Sequence, residues 1–210
     1  MSKLTGIVLD PLGNQTYKLQ YDHFDLMYDS TLHYPILCHW IETNEELTPG
    51  STLVTRGDKF IADPTLNEIN SSLEQVWHSD KYDRGHNCPA KDNEFAKEDE
   101  DQCFYYTNMT PQTPNLNRIT WKDLEEATRA LAKEDKQVEV WCGSFGDQGK
   151  IDFVTIPTYC WKIIKTTSTN VLLAYLMPNT EDVNQKHYMQ YLTTVDNIRE
   201  LSGLDLKEIF

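Results

Sequence analysis

Asp83-Arg84-Gly85-His86 puts a carboxylate, a guanidinium, a glycine and an imidazole in four consecutive positions. A neutral histidine can take a proton from water near pH 7, because its ordinary pKa is about 6.5. The planar fork of an arginine grips phosphate oxygens. Gly85 is expected to let the chain turn sharply, so that the His86 ring points into a cleft. Asp83 is expected to orient this loop or to pair with an arginine. Further along come Asn108-Met109-Thr110-Pro111-Gln112, then Asn115-Leu116-Asn117 and Trp121. These supply neutral side-chain oxygens at the start of a helix. An amide oxygen is an acceptable ligand for a hard ion such as Mg²⁺, which keeps several of its waters. Together the two stretches hold the parts for cutting a phosphodiester with one metal ion.

The spacing within the second block adds to this. Asn117 sits near the start of a helix expected over residues 115–133, in which Leu124, Ala127, Ala130 and Leu131 fall at helical spacing. Glu125 follows a little more than two turns later, near the same face, and suits holding metal-bound waters. Arg129, one further turn on, can pair with Glu125 and support the site, or the two can form an ordinary surface pair.

Around these blocks the chain reads as a mixture. Tyr34 to Ile41 is expected as a strand and Ser51 to Pro64 as a loop containing Arg56-Gly57-Asp58. Gln102 to Thr107 is expected as a strand following the acidic run Glu98-Asp99-Glu100-Asp101. That run either repels nucleic acid from one side of a cleft or is a solvated loop, the favoured reading. Val138 to Cys142, ending at Gly143, Ile151 to Ile156, Cys160 to Lys165 and Val171 to Leu176 are further strands. Two helices are expected near the C-terminus, around Asp182 to Tyr191 and Val195 to Leu201, with Ser202-Gly203 as the stop. The class is α+β with a largely antiparallel sheet.

The chain has 210 residues, enough for one domain with a full core, and the whole of 1–210 is read as that domain. No apolar run is long enough to span a membrane. The N-terminal Met1-Ser2-Lys3-Leu4-Thr5-Gly6 lacks the apolar core of a signal peptide, which fits a cytoplasmic protein or the mature form of an exported one. Five cysteines without CxxC spacing read as buried thiols, with a Cys88–Cys103 disulfide left open for an exported protein. The five tryptophans read as core, with Trp121 anchoring the helix of the second block. His78, His86 and Cys88 lack a fourth zinc ligand at usual spacing. The net charge of −14 counts against a generic nucleic-acid binder, which carries a basic face. Charge constrains affinity and salt response, however, and not the chemistry at a site.

Asp83-Arg84-Gly85-His86 resembles the DRGH signature of the DNA/RNA non-specific endonucleases, the ββα-metal (His-Me finger) nucleases that include endonuclease G. Asn108-Met109-Thr110-Pro111-Gln112 with Leu116-Asn117 and Trp121-x-x-Leu124-Glu125 resembles that family's second block. The resemblance implies a ββα-metal fold with a central, mainly antiparallel sheet flanked by helices. It implies that His86 is the general base, that Asn117 is the one direct protein ligand of Mg²⁺ (with Mn²⁺ or Ca²⁺ as substitutes), and that Arg84 contacts the phosphate. Glu125 would hold metal waters, Arg56 would help stabilise the transition state, and Asp83, Asn108 and Arg129 would support the site. DNA and RNA are the substrates it implies, with 5′-phosphate ends as products. A homodimer and an inhibitor or immunity protein are partners left open. Two readings of another class stand beside it. One is a nuclease-fold binding module whose acidic surface serves a protein partner; the other is a phosphodiesterase for small nucleotides.

Overall fold

The computed structural model describes residues 3–10, 12–48, 57, 59–185 and 187–206, with the side chains of residues 184 and 185 left aside. Arg56, and with it most of the expected 51–64 loop, lies outside the described residues.

Four strands open the chain: β1 (Lys3–Leu9), β2 (Gln15–Gln20), β3 (Phe24–Asp29) and β4 (Tyr34–Thr43). Helix α1 (Pro64–Ile69), strand β5 (Asp83–His86), helix α2 (Lys97–Cys103) and strand β6 (Met109–Gln112) follow. A π-helical turn over Leu116–Trp121 runs directly into α3 (Lys122–Asp135). Then come β7 (Gln137–Phe145), β8 (Lys150–Ile151), β9 (Val154–Thr155), β10 (Tyr159–Thr166), β11 (Leu172–Pro178), β12 (Leu192–Thr193) and α4 (Val195–Ser202).

An antiparallel sheet of eight strands, ordered β1-β2-β3-β4-β7-β10-β11-β12, forms the middle layer. Successive strand residues face opposite sides. Cys38 and Trp40 on β4, Val138, Val140 and Cys142 on β7, and Ile164 on β10 join one buried cluster with Trp121 and Leu124 of the helical segment. Trp141, Trp161 and Ile163 point the other way, onto Ile198 of α4. The central strands are therefore buried on both faces, with α3 on one and α4 on the other. On α3, the i, i+4 series Leu124, Thr128 and Ala132 forms the buried stripe. Burial of Leu124 alone contributes about 2 kcal/mol. The helix α4 stops at Gly203, whose φ of 72° is the left-handed conformation that glycine adopts without a Cβ clash.

Several expectations need correction. The acidic run is not a solvated loop: it lies in α2, and Glu100 is buried, accepting the backbone N–H of Gly57 at 2.6 Å. Gln102 to Thr107 is not a strand, because α2 continues to Cys103 and a 3-10 turn occupies Tyr106–Asn108. Strand β7 does not end at Gly143 but runs on to Phe145. Ile151 to Ile156 forms parts of the small β8–β9 hairpin. The segment around Asp182 to Tyr191 forms two 3-10 turns, Glu181–Gln185 and Tyr188–Tyr191, in place of one helix. All five cysteines are free and buried, so the Cys88–Cys103 bridge left open above is not formed.

Candidate active site

Strands β5 and β6 pair outside the large sheet, with Asp83 opposite Gln112, Arg84 opposite Pro111, Gly85 opposite Thr110 and His86 opposite Met109. The chain then passes Thr113 and Pro114 and enters the π-helical turn. A two-stranded hairpin feeding a helix thus brings the two sequence blocks to one cleft of about 510 Å³, lined by Asp83, Arg84, His86, Asn117, Glu125 and Arg129 together with Phe60. Asn108 lies behind it.

Gly85 has a different reason from the one expected. It sits in extended strand, not in a sharp turn, and a Cβ there would run into the side chain of Gln112. The buried Gln112 side chain lies over Gly85 and takes the space a Cβ would fill. His86 is the last residue of β5. Its ring meets Phe104 edge-on at 5.1 Å and 89°, and Phe60 at 5.7 Å. Just beyond it the backbone is pinned by Asn108, which is fully buried. The Asn108 side-chain oxygen accepts the Cys88 N–H at 2.9 Å, while its Nδ2 donates to the carbonyls of Cys88 and Cys103, each at 2.9 Å. Its own carbonyl accepts the Asn87 N–H at 3.0 Å. Cys88 packs here as a buried thiol, pushed up by burial and therefore unreactive as a thiolate.

Arg84 is stacked on Phe60, with Cζ 4.1 Å from the ring centroid, and its Nη1 donates to the Tyr106 hydroxyl at 3.2 Å. Tyr106 in turn donates to the Trp77 carbonyl at 3.2 Å. One face and one nitrogen of the guanidinium are thereby fixed, and the other N–H groups remain for an anion in the cleft.

Between the walls, Asp83 of β5 accepts a two-pronged bond from Arg118 (Nε and Nη2, each 2.7 Å) and a third from Asn117 Nδ2 at 3.0 Å. Partial burial raises the Asp83 carboxyl, but the Arg118 and Asn117 bonds and the nearby guanidinium charges outweigh it and hold the group below its ordinary 3.8. Because the amide nitrogen of Asn117 is committed to Asp83, its oxygen is the atom left for a cation. Among the described residues no three His, Cys, Asp or Glu side chains converge as a metal cage. An amide oxygen beside the Glu125 carboxylate, with water completing the shell, is a donor set that suits a hard divalent ion.

Arg129 is buried, and its Nη1 donates to Asp92 Oδ1 at 2.9 Å. The named partner is therefore a residue of the Ala90–Asn93 turn, with Glu125 adding its charge to the field that keeps Arg129 protonated. Asp92, Arg118 and Phe60 were not picked out by sequence reasoning. A basic residue directly after Asn117 was a usable signal; nothing local marked the other two. The lining also contains Lys91 and Lys122. Arg84, Lys91, Arg118, Lys122 and Arg129 face Asp83, Glu125 and Glu126, which reverses the chain's overall balance of 33 acidic to 19 basic residues.

A β-hairpin running into a helix, with His86 and Asn117 on facing walls, defines the ββα-metal nuclease fold. The chain belongs to the DNA/RNA non-specific endonuclease family, whose profile matches residues 5–208. It is 32% identical over 167 residues to a nuclease of Nostoc sp., covering 71% of this chain and 60% of that protein. It is 27% identical to Nuclease C1 of Cunninghamella echinulata, covering 95% of this chain and 83% of that one. It is 25% identical to human mitochondrial endonuclease G, covering 69% and 54% respectively. The chain thus spans about three fifths of the Nostoc nuclease and little more than half of the human enzyme. A solved EndoG/EndoGI complex, described as showing the mechanism of EndoG inhibition, superposes with a TM-score of 0.73 at 24% identity over 89% of this chain and 84% of that one.

Proposed function

We propose that the chain is a single-domain, metal-dependent, sequence-non-specific endonuclease that hydrolyses DNA and RNA to 5′-phosphate ends. The observation that carries this reading is the meeting of His86 and Arg84 on one wall of the cleft with Asn117 and Glu125 on the other. Mg²⁺ is the ion proposed. When bound, a divalent ion supplies Lewis-acid stabilisation to a phosphate oxygen and to the departing 3′ oxygen.

The chain's own residues do the rest. His86, held edge-on by Phe104, takes the proton of the water that attacks phosphorus. Arg84, fixed by Phe60 and Tyr106, lays its remaining N–H groups on the phosphate and neutralises charge as the pentacovalent arrangement develops. Asn117, whose amide nitrogen is held by Asp83, would offer its amide oxygen to such an ion, and Glu125 would hold the ion's waters. The P–O3′ bond breaks, the 3′ oxygen takes a proton from a solvent water and leaves as a hydroxyl, and the phosphate stays on the 5′ side.

The test is direct. Purified protein is incubated with plasmid DNA, with RNA and with a cyclic dinucleotide, each with Mg²⁺ and with EDTA. Metal-dependent cleavage of both polymers supports the reading. Cleavage of the dinucleotide alone replaces it with a small-nucleotide phosphodiesterase, and inertness at low salt replaces it with a binding module.

A further inference from the structure

The layer between α3 and the sheet is mostly apolar, but charged side chains enter it. Glu42 on β4 and Lys162 on β10 project from the same sheet face as Trp40 and Cys142, and their exposures are 1% and 0%. Lys162 Nζ lies between two indoles, 4.6 Å from the Trp121 ring and 5.5 Å from the Trp40 ring. Neither Nζ nor either oxygen of Glu42 has a hydrogen-bond partner among the described protein groups. On the helix side, the same layer contains the buried Arg129–Asp92 pair.

Such groups are costly to bury. A set of apolar side chains of equal volume would serve packing as well or better, as Leu124 and Ala132 do on the same helix. Buried polar atoms that no protein group satisfies are characteristically satisfied by internal water. Burial lifts the Glu42 carboxyl to about 9; Asp92 and Glu125 push it up, Arg129 and Lys162 pull it down. At neutral pH it is therefore an uncharged acid.

We propose that Glu42 and Lys162 are positioning residues: joined through internal water, they form a buried polar seat that fixes the rotation of α3 and so aims Glu125 and Arg129 into the cleft. The activity arm of this inference rests on the nuclease reading; the binding and spectroscopic arms do not.

The experiment compares wild type, Glu42→Gln, Lys162→Met and the double variant Glu42→Leu/Lys162→Met. Mn²⁺ affinity is measured by calorimetry, thermal unfolding by circular dichroism, and plasmid cleavage as kcat and KM. Glu42→Gln, which copies the uncharged acid, is expected to match wild type at pH 7. Lys162→Met and the double variant are expected to bind Mn²⁺ about tenfold more weakly, with kcat lowered and KM for DNA unchanged. The double variant is expected to unfold at or above the wild-type temperature. A double variant with wild-type Mn²⁺ affinity and kcat overturns the proposal, because the seat would then be packing alone. The infrared difference between wild type and Glu42→Gln needs no mutation at Lys162. A protonated-carboxyl band at pH 7 that disappears above about pH 10 supports the assignment, and its absence at pH 7 overturns it. Wild type that binds Mn²⁺ without cutting any polymer counts against the nuclease reading and leaves the positioning proposal to be decided by affinity.

Discussion

The two walls of the cleft are held by opposite means. The β5 wall is fixed by short-range, mostly uncharged contacts: Phe104 and Phe60 around His86, Tyr106 on Arg84, and Asn108 locking the backbone behind them. The helical wall is fixed by charge: Arg118 and Asn117 are tied to Asp83 at the start of β5, and Arg129 to Asp92. A general base needs a fixed orientation, which packing provides. An ion site needs a tuned field, which only charges provide. The β5 wall is therefore expected to respond to truncation and the helical wall to pH and salt.

The largest expected effect falls on the β5 wall, at the proposed general base. His86→Ala is expected to lower metal-dependent plasmid cleavage about a hundred- to ten-thousandfold with an unchanged circular dichroism spectrum; near wild-type cleavage would remove His86 from the mechanism. On the other wall, Arg129→Ala leaves Asp92 buried without its cation, and urea unfolding is expected to show a loss of about 3–5 kcal/mol. Asn108→Ala comes next. It strands the Cys88 N–H and two carbonyls, which costs about 3 kcal/mol in the same assay, and the loss is expected to be flat between pH 5 and 8, since no charge is involved.

Asp83→Asn separates the walls by pH. The folded Asp83 carboxyl lies below its ordinary 3.8, so its contribution is fully present above that value and fades only as pH falls through the depressed one. The stability difference between wild type and Asp83→Asn is expected to be constant down to about pH 4 and to shrink below it; a difference that already disappears at pH 6 would show that Asp83 is not the clamped carboxylate. The smallest effect belongs to Arg118→Ala, whose guanidinium is largely exposed. Its cleavage defect is expected at low salt and to narrow as salt rises, because screening weakens the same contact in the wild type.

What could be read from the chain was what is local to it. Asp83 to His86 and Asn117 to Glu125 are contiguous or one helix apart, so spacing alone put their side chains together. Strands β4, β10 and β11 were legible from their apolar runs, β7 from alternation, and the end of α4 from Gly203. The rest depends on partners distant in sequence. Gly85 is set by Gln112 across the hairpin, Glu100 by a backbone N–H at Gly57, and Arg129 by Asp92 in an irregular turn. The acidic run looked solvated because its helix buries only one carboxylate of the four, Glu100. Lys162 sits in a strand whose neighbours are apolar, and nothing local shows that it lies between two tryptophans, one from β4 and one from the π-helical turn.

The π-helical turn has a consequence for phase. In a regular α-helix, eight residues overshoot two full turns by about 80°, which would swing Glu125 off the line of Asn117. The wider turn over Leu116–Trp121 advances fewer degrees per residue and brings the same eight-residue interval closer to two whole turns. Deleting a single residue between Trp121 and Glu125 would rotate one relative to the other by about 100°. The segment thus works as a vernier, in which chain length, more than side-chain identity, sets where the two oxygens meet.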